Sequence, residues 1–124
     1  MGLRYTGIRV TDLDRSIEFY TEVMGLREQR RGRTGHGGIW VLLADPRTHQ
    51  RLELNWYPPA SPFATRYTPG DGLDHVGFRI ARKAAFVRRA LARGVKPALQ
   101  PSDQNGVPGV YYFHDPDGNW VEVF

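Results

Sequence analysis

The 124-residue sequence contains no cysteine, which excludes disulfide bonds, thiolate metal ligands and cysteine nucleophiles. It has no apolar run near the ~18 residues that a membrane-spanning helix needs. Its beginning, residues 1–10, lacks the apolar core of a secretory signal peptide. With 40% hydrophobic and 24% charged residues, the composition indicates one globular domain without a membrane partner. A cytoplasmic location is the default expectation.

Acidic residues are fewer than basic ones: the sequence has 13 aspartates and glutamates and 17 lysines and arginines, which gives a net charge of +4. The densest basic cluster consists of Arg27, Arg30, Arg31 and Arg33. A nucleic-acid-binding protein usually combines such a cluster with a reading helix or a stacking platform, and the sequence offers neither. The cluster is interpreted as a solvated basic loop, or else as a surface that attracts an anionic small substrate.

The two halves of the sequence repeat one another. The matched segments are 5–10 with 75–80 (YTGIRV, HVGFRI), Asp45-Pro46 with Asp115-Pro116, and 51–54 with 120–123 (RLEL, WVEV). The offset is 70 residues for the first two pairs and 69 for the third. Three landmarks that keep their order and spacing predict an internal duplication.

Each half predicts the same order of elements. The first half has a strand at 3–10, a helix between Asp12 and Gly25, and strands at 26–31, 38–43 and 50–56. The second half has a strand at 73–80, a helix near 83–93 that Gly94 ends, and strands near 97–100, 109–113 and 119–124. The segment 58–72, rich in Pro, Gly, Ser and Thr, is the predicted linker between module 1–57 and module 73–124. The predicted fold class is α+β, with two β-α-β-β-β modules.

Alternation along the strands decides which side chains share a face. Leu52 and Leu54 are expected to point to the helix side, and so are Val121 and Val123. The opposite face then carries Tyr5, Glu53, His75 and Glu122. A strand glutamate or histidine taken alone is more often a solvated or hydrogen-bonded bystander, but these four occupy equivalent positions of a repeat. Sheets curved around this face would gather them into one cavity, and an imidazole with two carboxylates suits Ni²⁺, Zn²⁺, Mn²⁺ or Mg²⁺.

Four segments together carry a resemblance to a known family. They are 5–25 (YTGIRVTDLDRSIEFYTEVMG), 52–54 (LEL), 74–78 (DHVGF) and 115–122 (DPDGNWVE). They resemble glyoxalase I, of the glyoxalase / bleomycin resistance / dioxygenase (vicinal oxygen chelate) superfamily, over nearly the whole chain. The resemblance implies sheets curved around a cavity and a divalent metal ion held by Tyr5, Glu53, His75 and Glu122. Tyr5 departs from the family, which places His or Gln there, and a neutral phenol with a pKa near ~10 is a poor ligand.

The resemblance also implies residue roles beyond the metal. Glu122 or Glu53 would carry the proton as catalytic residues. Arg9 resembles the family's glutathione clamp, whereas the accompanying asparagine is displaced to Asn55, and Asp71 and Gln100 stand at the other clamp positions.

The positions of five aromatic residues, near the linker or the cavity face, leave them open between lining a substrate pocket and packing elsewhere: Trp56, Tyr57, Phe63, Tyr67 and Trp120. Phe19, Tyr20 and Phe86 are expected in the core, and His36, His49 and His114 in solvated turns.

Two functions remain open at this point. The first is a metal-dependent lyase or isomerase that moves a proton next to a carbonyl through a metal-bound enediolate, with epimerisation equally compatible. The alternative is a metal-free small-molecule binding protein, similar to bleomycin-resistance proteins, which Tyr5 favours. Ring-cleaving dioxygenases and fosfomycin-modifying transferases are disfavoured. Their metal sites resemble two histidines with one carboxylate, whereas the candidate positions here hold one histidine and two carboxylates.

A homodimer is also expected, because two four-stranded modules leave open sheet edges and a partly covered face. In glyoxalase I-like dimers, Tyr5 and Glu53 of one copy would meet His75 and Glu122 of the other.

Overall fold

The structure, a computed structural model, describes residues 2, 4–98 and 111–124. The chain divides into two compact units, Met1–Tyr67 and Thr68–Phe124, and the boundary lies inside the segment 58–72. No helix in the described part of the chain is long and apolar enough to cross a membrane.

The first unit follows the order β-α-β-β-β. Its elements are β1 (Thr6–Arg9), α1 (Leu13–Glu18), which continues as a π-helical segment (Phe19–Val23), β2 (Arg27–Arg33), β3 (Ile39–Ala44) and β4 (Arg51–Trp56). The sheet order is β1-β4-β3-β2, in which β1 runs parallel to β4 and the other pairs are antiparallel. The predicted α+β class is confirmed.

The helix of the first unit begins where the sequence predicts it. Asp12 caps it, because its carboxylate accepts a hydrogen bond from the backbone N–H of Arg15 at 3.1 Å. The end differs from the expected regular helix, since Met24 N–H donates to Phe19 O, five residues back, at 3.1 Å. Gly25 then follows with a φ of +80°, a conformation that glycine adopts without steric cost.

The second unit repeats this arrangement with β5 (His75–Phe78), α2 (Lys83–Ala92), β6 (Tyr111–His114) and β7 (Trp120–Val123). The order β5-β7-β6, with β5 parallel to β7, matches β1-β4-β3 of the first unit. Pro97 adds an antiparallel bridge to Phe113, where the sequence predicts a strand near 97–100. Residues 99–100 of that predicted strand, and residues 109–110 of the one at 109–113, lie outside the described residues.

Each sheet buries the face that alternation predicts. In the first unit the buried strand residues of this face are Ile8, Val41, Leu43, Leu52 and Leu54, and α1 packs against β4. In the second unit they are Phe113, Val121 and Val123, and Phe86 of α2 packs edge-on against Phe113 at a centroid distance of 6.2 Å. Burying each large side chain of this kind contributes about 1.5–3 kcal/mol. Phe19, Tyr20 and Phe86 are buried, as expected of core residues.

Two Asp-Pro turns close equivalent hairpins. The Asp45 carboxylate accepts hydrogen bonds from the N–H groups of Arg47 and Thr48 at 2.7 and 2.9 Å. The pKa of Asp45 is lowered, first by the Thr48 bond, although burial opposes the shift. The lowered pKa means that Asp45 stabilises its turn at neutral pH, and that this contribution is lost as the pH falls through the folded-state pKa.

The Asp115 turn is the more buried of the two. Asp115 is 5% exposed, and its carboxylate accepts from the N–H groups of Asp117 and Asn119 and from the buried side-chain amide of Asn119. His114, expected in a solvated turn, instead ends β6, half-buried, with Nδ1 3.1 Å from Gly118 O. The reason is its place in the β6–β7 ladder opposite Trp120.

We expect Asp115→Ala to lower the free energy of unfolding by about 2–4 kcal/mol, because buried donors lose their acceptor. The equivalent change, Asp45→Ala, removes two exposed hydrogen bonds and should cost only about 1 kcal/mol. Urea denaturation of both variants and the unchanged protein makes the comparison. Equal losses of unfolding free energy in the two variants would contradict the larger structural role given to the buried Asp115 turn.

Candidate functional site

In the first unit, Glu53 lies on the face opposite to the core residues of β4. Its neighbours in sequence, Leu52 and Leu54, are buried, and Glu53 pairs in register with Gly7 of β1. The Asn55 side chain donates a hydrogen bond to Glu53 Oε1 at 3.2 Å. A Cβ at position 7 would lie 3.2 Å from Asn55 Nδ2, so glycine leaves room for this pair. The alternation predicted for β4 is therefore observed.

Arg9 is on the same face as Asn55, its register partner, but it is engaged elsewhere. Its guanidinium donates to Thr65 Oγ1 at 2.7 Å and lies 5.1 Å from the centroid of the Tyr57 ring. A cation over an aromatic face is attracted by the ring quadrupole. The residue that resembles a substrate clamp is thus held by side chains of its own unit.

Two other predicted site residues of the first unit lie at strand ends, Tyr5 before β1 and Trp56 at the end of β4. Tyr5 precedes β1 and is 48% exposed. Trp56 is two residues beyond Leu54 in β4, so alternation puts it on the core side, and there it pairs with Ile39. The structure does not bring Trp56 together with Glu53.

In the second unit, His75 and Glu122 meet on one face. Val121 and Val123 are buried on the opposite side, and Glu122 pairs in register with Gly77 of β5. His75 Nε2 lies 3.3 Å from Glu122 Oε2. A Cβ at position 77 would also lie 3.3 Å from that oxygen, so a side chain there would press on the carboxylate.

The second ring nitrogen of His75 has its own partner. His75 Nδ1 lies 2.6 Å from Oδ1 of Asp74, whose side chain is 96% exposed. If Nδ1–H donates to Asp74, the neutral tautomer directs the Nε2 lone pair toward the Glu122 oxygen. Two facing acceptors need a cation between them, either a proton on Nε2 or a metal ion.

Tyr112 completes this cluster and was missed from the sequence. Its hydroxyl donates to Glu122 Oε1 at 3.4 Å, and its ring lies 5.5 Å from that of Trp120. Burial raises the pKa of Tyr112, and the charge of Glu122 raises it further. The sequence does carry a signal for it: Phe113 is a core residue, so alternation along the strand places its neighbour Tyr112 on the opposite face, with Glu122.

We expect Glu122→Gln to lower the pKa of Tyr112 toward its ordinary value, because the neutral amide removes the nearby charge. NMR titration of ring-labelled tyrosine in chelator-treated protein measures it, with Tyr112→Phe assigning the signal. Glu18→Gln, on exposed helix surface, is the matched control. An identical Tyr112 titration in Glu122→Gln and the unchanged protein would contradict the contact.

Within the part of the chain that the structure describes, no three His, Asp or Glu side chains form a group able to hold a metal ion. His75 and Glu122 belong to the second unit, whereas Glu53 and Tyr5 belong to the first.

Comparison with known proteins places the chain in a family. Residues 2–123 match the model of the Glyoxalase/Bleomycin resistance protein/Dioxygenase superfamily. The Pseudomonas aeruginosa protein PA2024 is 35% identical, over 97% of this chain and 85% of that protein. A lactoylglutathione lyase of the same bacterium is 29% identical, over 96% of this chain and 79% of the enzyme. The trypanothione-dependent glyoxalase I of Leishmania major has a TM-score of 0.78 at 26% identity, covering 100% of this chain and 86% of that one.

The chain therefore belongs to the glyoxalase/bleomycin resistance protein/dioxygenase superfamily, and the resemblance to glyoxalase I is confirmed.

Proposed function

We propose that the protein is a metal-dependent lyase or isomerase of glyoxalase I type, which moves a proton next to the carbonyl of a small substrate. The observation that carries the proposal is the His75–Glu122 pair, with Asp74 behind the imidazole. The lactoylglutathione lyase and glyoxalase I relatives support the class of reaction.

The donor atoms of the second unit fit a divalent ion. Metal–nitrogen and metal–oxygen bonds of ~2.0–2.2 Å put neighbouring ligand atoms roughly 3.0–3.5 Å apart. The 3.3 Å separation of His75 Nε2 and Glu122 Oε2 falls in this range. A carboxylate on the other ring nitrogen, as Asp74 provides, orients a metal-binding histidine and fixes its tautomer. His75, Glu122 and Glu53 would hold the ion, whose Lewis acidity would polarise the substrate carbonyl.

The side chains around Glu122 suit it for carrying a proton. Tyr112, a phenol whose pKa is raised, stays protonated and donates to Oε1, so the other oxygen is the one facing His75. Trp120 lies on the same face and adds an apolar wall. Glu53, held by Asn55, is the second candidate for the same task.

The proposed donor set needs both units, since Glu53 comes from the first. We propose that it is completed in a homodimer, with Tyr5 and Glu53 of one copy and His75 and Glu122 of the other. Sedimentation should then give a species of about 28 kDa, twice the 14.1 kDa chain. A monomer at micromolar concentration would remove the shared arrangement.

A metal-free binding protein is the second candidate, and two observations favour it. Tyr5 is exposed, and in the second unit Tyr112 and Trp120 stand beside Glu122. Aromatic faces of this kind can hold a flat or cationic ligand without any metal.

Proton transfer separates the two candidates. Metal-loaded protein is given an α-oxoaldehyde in D₂O with glutathione, with trypanothione, or with no thiol. NMR then follows deuterium at the carbon next to the carbonyl. The lyase predicts exchange or product that depends on Glu122, whereas a binding protein gives none with any thiol.

A further inference from the structure

We infer that the first unit binds an oxyanion, a carboxylate or phosphate group, at Arg27, Arg30 and Arg51, here named the basic corner. That this anion is a group of the substrate rests on the proposed function. Binding of the anion itself does not, because none of these residues belongs to the proposed metal site.

The register of the sheet places the basic corner on the Glu53 face. Leu42 of β3 pairs with Glu53 and with Arg30, so Arg30 shares their side. In the next row Ala44 pairs with Arg27 on one side and Arg51 on the other. Arg27 and Arg51 are thus two strands apart, roughly 9–10 Å, with only a methyl group between them.

A shift in the register separates these arginines from their neighbours on the same strand. The ladder is irregular between Glu28 and Arg30, so Arg31 and Arg33 point to the opposite side with Val41 and Ile39. Arg31 forms a two-bond ion pair with Glu28 there.

Charge on the Glu53 face is unbalanced. Its strand positions carry four arginines, Arg9, Arg27, Arg30 and Arg51, against the single carboxylate of Glu53. Among the described residues, none of the three arginines of the basic corner forms an ion pair. Arg51 Nε is buried and has no hydrogen-bond partner in the described part of the chain, which leaves a polar N–H of the basic corner unsatisfied at a cost in free energy.

The repeat shows that the scaffold does not require an arginine at position 51. Trp120 occupies the position equivalent to Arg51, and His114 the position equivalent to Ala44. Both units present a glutamate on this face, and the row next to it carries Arg51 in the first unit and Trp120 in the second. Arginine's planar fork matches the oxygens of carboxylate and phosphate. A substrate held here by an anionic end would place its remainder one row away, at Glu53.

The test is calorimetric titration of chelator-treated protein with inorganic phosphate and, separately, with acetate, at constant ionic strength. We expect saturable binding of at least one of the two anions. The anion that binds more tightly shows whether the basic corner prefers a phosphate or a carboxylate group. Arg51→Gln and Arg27→Gln should each weaken it by about tenfold or more, as loss of a charge-assisted hydrogen bond predicts. Arg33→Gln, which removes equal charge from the opposite face of β2, should stay within about twofold.

Two results would contradict an anion site at the basic corner. One is no saturable binding of either anion. The other is a loss of affinity in Arg33→Gln as large as in Arg51→Gln and Arg27→Gln, which would indicate diffuse electrostatic attraction. Should Arg51→Gln fail to fold, the Nε–H signal of Arg51 in the unchanged protein decides, because bound anion must shift it. Metal binding is measured independently, so either proposal can fail without the other.

Discussion

His75→Ala is expected to weaken divalent-ion binding by at least about tenfold, the scale of losses seen even for partners outside the coordination sphere. The variant removes Nε2, which lies 3.3 Å from Glu122 Oε2, and with it the link to Asp74. Calorimetric titration with Ni²⁺ measures the change.

The control for this variant is His36→Ala, which removes an exposed imidazole from a turn of the first unit. It should bind the ion as the unchanged protein does. Equal affinity in His75→Ala and the unchanged protein would exclude His75 as a ligand. Equal losses in both variants would mean that ions bind surface histidines without a defined site.

Glu122→Gln is expected to lower the rate of proton transfer by about 10²–10⁴-fold, the usual contribution of a positioned general acid or base. The amide keeps the shape and an acceptor for Tyr112 but cannot take up the substrate proton. Rates are compared at saturating metal, because the same change weakens the ion's binding.

Glu53→Gln distinguishes the two carboxylates as proton carriers. If Glu122 is the carrier, Glu53→Gln loses metal affinity but retains most of the rate once saturated. The reverse pattern would transfer the role to Glu53. Full rates in both variants would contradict a carboxylate carrier altogether.

Much of the fold was predictable because the two halves of the sequence repeat the same pattern. The matched segments predict two units of like order, and both sheets show the same parallel and antiparallel pairing. Alternation placed Glu53 and Glu122 opposite to buried leucines and valines, since neighbouring strand residues must face opposite sides.

Other features depend on contacts that local pattern does not encode. The spacing of apolar residues predicts a helix but does not distinguish the π-helical turn before Gly25 from a regular one. The hydrogen bond from Arg9 to Thr65 joins residues 56 positions apart, beyond the range of any local pattern. The irregularity between Glu28 and Arg30 sends neighbouring arginines to opposite faces, so the apparent single cluster is really two. The sequence leaves Trp56 open between a substrate pocket and packing elsewhere, and its pairing with Ile39 puts it on the Leu54 side of β4.

Whether the chain holds a divalent ion is decided by calorimetric titration of chelator-treated protein with Ni²⁺, Mn²⁺ and Zn²⁺. We expect saturable binding of at least one ion. We also expect tighter binding in Tyr5→His, because an imidazole replaces a phenol. Absence of binding heat with every ion, in both the unchanged protein and Tyr5→His, would contradict the metal site and leave the metal-free binding protein.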